Sequence, residues 1–285
     1  MIIDIHVHCH KKRLPGICRA NGSQYPAPEQ LIAAMDADGI DMAVLMCCVS
    51  PECRNTLVAP EEVLEICAEY PDRFIPFCDF DPRNRRNDES SDFRPLLRAY
   101  IEAGCRGVGE YFPSLPLDDP LNMNFFGQVE ECGVPLLFHL AHNPRGTYGC
   151  LDEPGLPRLE KVLKTFPDLV LLGHSPVFWN EINNKVENPE PGRLIELMRK
   201  YPNLCGDLSA GSGYNAISRD PELGCRFMEE FQDRLYFGTD IASVNQNNPI
   251  VEYFRKIKQE HLIATAAYEK ITWRNAAKLL KLQIV

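Results

Sequence analysis

Eight short apolar runs, separated by amphipathic stretches, constrain this chain more than any other feature. The runs are IIDIHVH (2–8), MAVLMCC (42–48), RFIPFCD (73–79), CRGVGEYF (105–112), VPLLFHL (134–140), LVLLGH (169–174), NLCGDLS (203–209) and RLYFGTD (234–240). Each has the length of a strand, and none shows the strict polar alternation of a half-exposed sheet. Such runs suit parallel strands buried on both faces. Helix signals lie between them. Pro28 stands at a first helical position, Leu31 and Met35 supply an apolar stripe, and Gly39 supplies a stop. Pro60 opens EEVLEICAEY, and Pro71 follows its end. Segments 91–103, 120–132, 155–166, 190–200 and 221–232 repeat the pattern, and a last helical stretch covers 264–282 after the eighth run. No linker or shift of composition divides the chain. The expectation is one α/β domain over residues 1–285, a (β/α)8 TIM barrel with a C-terminal helical extension. An open doubly wound sheet is the alternative, disfavoured because no glycine-rich phosphate loop follows the first run.

The longer connections, 9–27, 80–90, 141–154, 175–189 and 209–220, follow strands rather than precede them. In a barrel they all rise at the C-terminal face, where chemistry sits.

Composition narrows the function classes. The formal charge of −10 argues against a nucleic-acid or membrane partner, since both need a basic face. The twelve cysteines are scattered and form no CxxC pair, so they read as small buried hydrophobes. Met1 runs directly into an apolar strand, without the basic start and apolar core of a secretion signal, and no apolar run approaches a membrane span. A cytoplasmic protein with reduced thiols is expected.

His6-Val7-His8 is the first chemical signal. Residues i and i+2 of a strand face one side, about 6.6 Å apart along the chain, so two imidazoles can converge on one divalent ion. The pair alone is moderate evidence. Other strand ends strengthen it: Glu110 follows Gly107-Val108-Gly109 near the end of the fourth strand, His139 ends the fifth strand, His174 the sixth, and Asp240 the eighth. Four histidines and two acids on one barrel face would be costly to bury unpaired. A metal site accounts for them.

These motifs resemble the amidohydrolase superfamily, in particular its amidohydrolase-related branch, which includes aminocarboxymuconate-semialdehyde decarboxylase. The resemblance runs nearly end to end. It is carried by Asp4-Ile5-His6-Val7-His8, AMDADGIDMAVL (34–45), YPDRFIPFCDFDP (70–82), GVPLLFH (133–139), FPDLVLLGHS (166–175), DRLYFGTD (233–240) and RNAAKLLKL (274–282). It implies a divalent metal on His6, His8, His139 and Asp240, with His174 as general base. Zinc is the ion expected, and manganese, iron and cobalt suit the same ligand types. The metal would lower the pKa of water toward about 7 or polarise a substrate oxygen. Asp240 could also accept a proton from the attacking water. Asp4 is expected to orient a ligand.

Glu110 departs from the pattern. Many superfamily members place a lysine at the end of the fourth strand. The carboxylate here is similar to that of the related TatD-like nucleases, and it can serve as a further ligand to one ion or bridge two. One metal is the favoured reading, with a second as the alternative, in which His174 becomes a ligand.

The loops should define the substrate. Arg145 and Tyr148 follow the fifth run, and Trp179 and Asn180 the sixth. Arg145 is a candidate clamp for a carboxylate. Ser209–Tyr214 reads as a glycine-rich loop, and Lys11, Lys12, Arg13 and Arg19 follow the first run. His10 and His142 read as supporting residues and His261 as surface. Hydrolysis of a small ester, lactone or amide leads. Non-oxidative decarboxylation of an acidic or aromatic substrate follows, then nuclease activity, then a non-catalytic ligand-binding barrel. The partner is a small-molecule substrate, and the oligomeric state is left open, a homodimer included.

Overall fold

The computed structural model describes every residue except 12, 14, 15, 19–21, 53–55, 144, 146, 147, 183–191, 284 and 285. Lys12 and Arg19 therefore lie outside the described residues. The strands are β1 (Ile3–Val7), β2 (Met42–Leu45), β3 (Phe74–Pro76), β4 (Val108–Tyr111), β5 (Leu136–Ala141), β6 (Cys150–Leu151), β7 (Leu171–His174), β8 (Leu204–Asp207) and β9 (Leu235–Tyr236). All but β6 fall within the eight apolar runs, save that β5 extends one residue further to Ala141. The helices are α1 (Pro28–Asp38), α2 (Pro60–Glu69), α3 (Arg94–Glu102), α4 (Pro120–Cys132), α5 (Pro157–Thr165), α6 (Pro176–Asn180), α7 (Arg193–Lys200), α8 (Ala210–Ser218), α9 (Pro221–Glu230), α10 (Pro249–Glu260), α11 (Thr265–Glu269) and α12 (Asn275–Leu279), with a π-helical turn over Lys270–Arg274. Proline opens α1 and α2, and Gly39 ends α1 at φ 76°. That left-handed conformation carries little penalty for glycine.

Parallel ladders join β1–β2–β3 and β4–β5–β7–β8–β9. Backbone contacts close the two seams. Gly109 donates to the Cys78 carbonyl at 2.9 Å on one side, and His8 donates to the Ile241 carbonyl at 2.9 Å on the other. The Cys78–Val108 and Val7–Ile241 pairs are parallel bridges. Eight parallel strands thus form a TIM barrel, and β6 pairs with β5 outside the ring.

Two segments differ from expectation. The glycine-rich stretch expected as a loop, Ser209–Tyr214, lies mostly within α8. Its glycines lower helix propensity, but a Cβ at Gly213 would fall 2.2 Å from the Leu208 carbonyl oxygen, so the close packing there requires glycine. The helix that follows the last barrel strand is α10, which buries Ile250, Val251, Phe254 and Ile257. The segment 264–282 is a further extension. Its Ala276 and Leu280 pack with Ile3, Ile5 and Tyr236, against the first and last barrel strands.

The barrel interior places the site. One buried cluster takes Ile3 and Ile5 from β1, Phe77 just after β3, Leu137 from β5, Leu172 from β7 and Cys205 from β8. Side chains two residues further along a strand face the same way. Phe77, Leu137, Leu172 and Cys205 therefore put Asp79, His139, His174 and Asp207 at the barrel mouth, and all four are buried. In β1 the pairing register shifts between Asp4 and Val7, and Val7 joins the outer core. The shift gives His6 and His8 to the mouth and separates them from the face of Asp4.

Candidate metal centre

Four donor atoms converge at the mouth. His6 Nε2 lies 3.0 Å from His8 Nε2. Glu110 Oε2 is 3.6 Å from His6 Nε2 and 3.4 Å from His8 Nε2. Asp240 Oδ1 is 3.7 and 3.4 Å from the same two nitrogens. The other Glu110 oxygen, Oε1, meets His139 Nδ1 at 2.8 Å, and the other Asp240 oxygen, Oδ2, lies 3.9 Å from His174 Nε2. Asp240 sits in a left-handed conformation (φ 55°) and donates its backbone N–H to the His6 carbonyl across the seam. That hydrogen bond seats its side chain over β1.

The electrostatics favour a cation. Glu110, Asp207 and Asp240 bring three carboxylates against the four imidazoles of His6, His8, His139 and His174. Burial opposes a charged His6, yet Asp240, Asp207 and Glu110 raise its pKa well above the usual imidazole value. Burial likewise opposes a charged His8, and Asp240 and Glu110 raise it. Burial would push Glu110 up, but hydrogen bonds from His139, His6 and His8 hold it well below the carboxylate range. Asp207 and Asp240 are lowered against burial in the same way. His139 moves down, because burial outweighs its Glu110 contact. Buried carboxylates that stay ionised need positive charge beside them.

Geometry agrees with that demand. Donors about 2.0–2.2 Å from a common ion stand roughly 3.0–3.6 Å apart, close to the spacings of His6, His8, Glu110 and Asp240. The triads His6–His8–Glu110 and Glu110–His139–His174 each have donor atoms within 4.8 Å of one another, as does His6–His174–Asp207.

Asp207 was not singled out in the sequence. Its Oδ2 takes His6 Nδ1 at 2.8 Å and His174 Nδ1 at 3.1 Å. It ends β8 as His174 ends β7, and that position at a strand end was the available signal. Asp79 ends the third run in the same way, and burial pushes its carboxyl pKa well up. Tyr25 was also missed; its ring stacks on His8 with centroids 5.2 Å apart, and its hydroxyl meets Cys48 Sγ at 3.1 Å.

The expected substrate residues separate. Tyr148 lies beside the site, with its ring centroid 4.5 Å from that of His139. Arg145 is exposed, and its backbone N–H donates to Asn143. Trp179 is a correction: it is 2 % exposed, packs in the core, and its Nε1 donates to the Asp207 carbonyl at 2.9 Å. It supports the floor of the site and has no face for a substrate. Asn180 is exposed. His10 pairs with Glu62, and His142 Nδ1 meets the Asp152 carbonyl. Lys11 pairs with Glu65 and Glu69, and Arg13 is held by Gln24 and Gln30. Asp4 contacts no imidazole; it accepts the backbone N–H of His6 and both the N–H and the hydroxyl of Thr239. It thereby ties β1 to the residue before Asp240.

The amidohydrolase family model matches residues 3–282. The chain belongs to the amidohydrolase family. Solved structures share the whole fold. An uncharacterized TIM-barrel protein from Bordetella bronchiseptica is 19 % identical, with 98 % of both chains covered and a TM-score of 0.65. A probable 2-pyrone-4,6-dicarboxylic acid hydrolase from Acinetobacter baumannii is 17 % identical, over 98 % of this amidohydrolase and 99 % of that chain, with a TM-score of 0.62. The 2,6-dihydroxybenzoate decarboxylase from Rhizobium is 18 % identical, over 99 % and 98 %, with a TM-score of 0.64. A search of curated proteins finds no match. Among the described residues of this family member, no helix is long and apolar enough to cross a membrane.

Proposed function

We propose that this amidohydrolase is a metal-dependent hydrolase of a small ester, lactone or amide. The observation that carries the reading is the convergence of His6 Nε2, His8 Nε2, Glu110 Oε2 and Asp240 Oδ1 at spacings of 3.0–3.7 Å. These four residues would hold one divalent ion, zinc by preference, with His139 completing the far side of Glu110. Bound there, the ion would supply Lewis acidity to a substrate oxygen and acidify water.

The chain's own residues supply the rest. His174 Nε2 and Asp240 Oδ2, 3.9 Å apart, border one position, so either can take a proton from a molecule lying between them. His174 is assigned as the base, and Asp240 both binds the ion and relays the proton. Tyr148, beside His139, and Arg145, on the same loop, are assigned to substrate contact.

Decarboxylation is the second reading. It is motivated by the likeness to the Rhizobium enzyme and to a 5-carboxyvanillate decarboxylase from Sphingomonas paucimobilis. Turnover of ester, lactone, amide and aromatic-acid panels by zinc-loaded protein in ¹⁸O-labelled water separates the two. Hydrolysis places the label in the organic product, whereas release of carbon dioxide with an unlabelled organic product would overturn the leading reading. His174→Ala should lower turnover by about 10²–10⁴, and unchanged turnover would remove His174 from the base role.

A further inference from the structure

The carboxylate of Asp207 is fully buried at the end of β8, and its surroundings leave it one orientation. Oδ2 lies 2.8 Å from His6 Nδ1, 3.1 Å from His174 Nδ1 and 2.8 Å from Ser209 Oγ. Oδ1 takes the Ser209 backbone N–H at 2.9 Å. Trp179 Nε1 holds the Asp207 carbonyl from below. Each carboxylate oxygen has two acceptor positions, and three donors crowd Oδ2 while one meets Oδ1. The oxygen that faces the two rings is fully engaged, so the His6–His174–Asp207 triad reads as a hydrogen-bonded unit.

The direction of those bonds has a consequence. An ionised carboxylate can only accept, so each Nδ1 facing it carries the ring proton. In a neutral imidazole that leaves the lone pair on Nε2. His6 Nε2 then points at His8 Nε2, 3.0 Å away, and His174 Nε2 points toward Asp240. Ser209 Oγ, donating to Asp207, also accepts from His174 Nδ1 at 3.0 Å. Ligand imidazoles commonly have an outer acceptor of their own; here one oxygen serves two rings.

We propose that Asp207 is a positioning residue whose single oxygen Oδ2 sets the tautomer of two histidines with different duties, His6 as a metal ligand and His174 as the proton acceptor. The inference rests on the metal reading given above. Asp207 acts through the two rings and touches no substrate. Its loss disables both duties together, although His6 and His174 are 168 positions apart in the chain.

The test uses the full-length protein with zinc as the probe. Long-range ¹⁵N spectra of the zinc-loaded chain should show His174 protonated at Nδ1, and zinc competition should show one bound ion. Asp207→Asn puts an NH2 where one of the two oxygens was, so either Ser209 or the imidazole pair faces a donor. Zinc affinity should fall about 10–100-fold, and the His174 signal should leave the Nδ1–H position. An unchanged far-ultraviolet circular dichroism spectrum and urea midpoint for Asp207→Asn separate the role of the carboxylate from general damage to packing. Asp207→Asn binding zinc as tightly as the unsubstituted chain would overturn the proposal. So would an Nε2–H tautomer of His174 in the unsubstituted chain, a result that does not depend on the variant folding. Failure of the unsubstituted chain to bind zinc would instead sink the metal reading, and the His174 tautomer of the metal-free protein would still decide the role of Asp207.

Discussion

His6 Nε2 and His8 Nε2 face each other at 3.0 Å in the barrel mouth. Two lone pairs repel at that distance, so a proton or a cation must lie between the rings. In the protein alone a proton serves; Asp240 and Glu110 beside both rings, with Asp207 on His6, raise the two imidazoles above the usual pKa against burial.

That competition sets the pH dependence of metal binding. An ion must displace protons from His6 and His8, whose pKa values are raised. Zinc affinity should therefore climb with pH and keep climbing above the ordinary imidazole pKa of about 6.5. Competition against a chromophoric chelator between pH 6 and 8.5 checks this. An affinity that levels off below pH 7 would mean that the acids do not load the pair.

Glu110 links two halves of the site, with Oε2 toward His6 and His8 and Oε1 on His139. Glu110→Gln removes one negative charge without changing length. Zinc affinity should drop at least about tenfold, with far-ultraviolet circular dichroism unchanged. Full zinc retention would place Glu110 outside the coordination set.

Asp4 makes a separate prediction about stability. Burial pushes its carboxyl up to about 7, against the hydrogen bonds from Thr239 and His6. The folded pKa lies above the unfolded value of 3.8, so the folded state holds the proton more firmly. Stability from this group is present in full below about pH 4 and is lost as pH rises toward 7, by roughly 4 kcal/mol over the window. Asp4→Asn cannot titrate. Urea unfolding with a chelator present should show the variant gaining on the unsubstituted chain by about 2–4 kcal/mol between pH 4 and 8. Parallel curves would contradict the burial cost.

Much of the fold was legible because parallel strands buried on both faces read as continuous apolar runs, and prolines mark the helix starts. Helix α4 begins at Pro120 and ends before Gly133 as the punctuation implies. Helix α8 was not legible, since Ala-Gly-Ser-Gly favours a loop until Gly213 is seen against the Leu208 backbone. In the site, His6, His8, Glu110, His139, His174 and Asp240 stood out as polar residues at strand ends. Asp207 stood in the same position and was passed over, because an acid reads as ordinary until the two histidines it joins are brought to it by β1 and β7. Trp179 was misread for the opposite reason: its place after a strand suggested the mouth, but α6 turns it inward. Arg145 and Tyr148 share one loop, and only the fold shows that Tyr148 stands beside His139.

His6, His8, Glu110 and Asp240 are proposed to hold one divalent ion. Calorimetric titration of chelator-stripped protein with zinc, with elemental analysis after dialysis, tests that proposal most directly. One zinc per chain should be retained by the unsubstituted protein and lost in His8→Ala and in Asp240→Asn while both variants stay folded. No retained zinc in the unsubstituted protein, or one held equally well by His8→Ala, would contradict it.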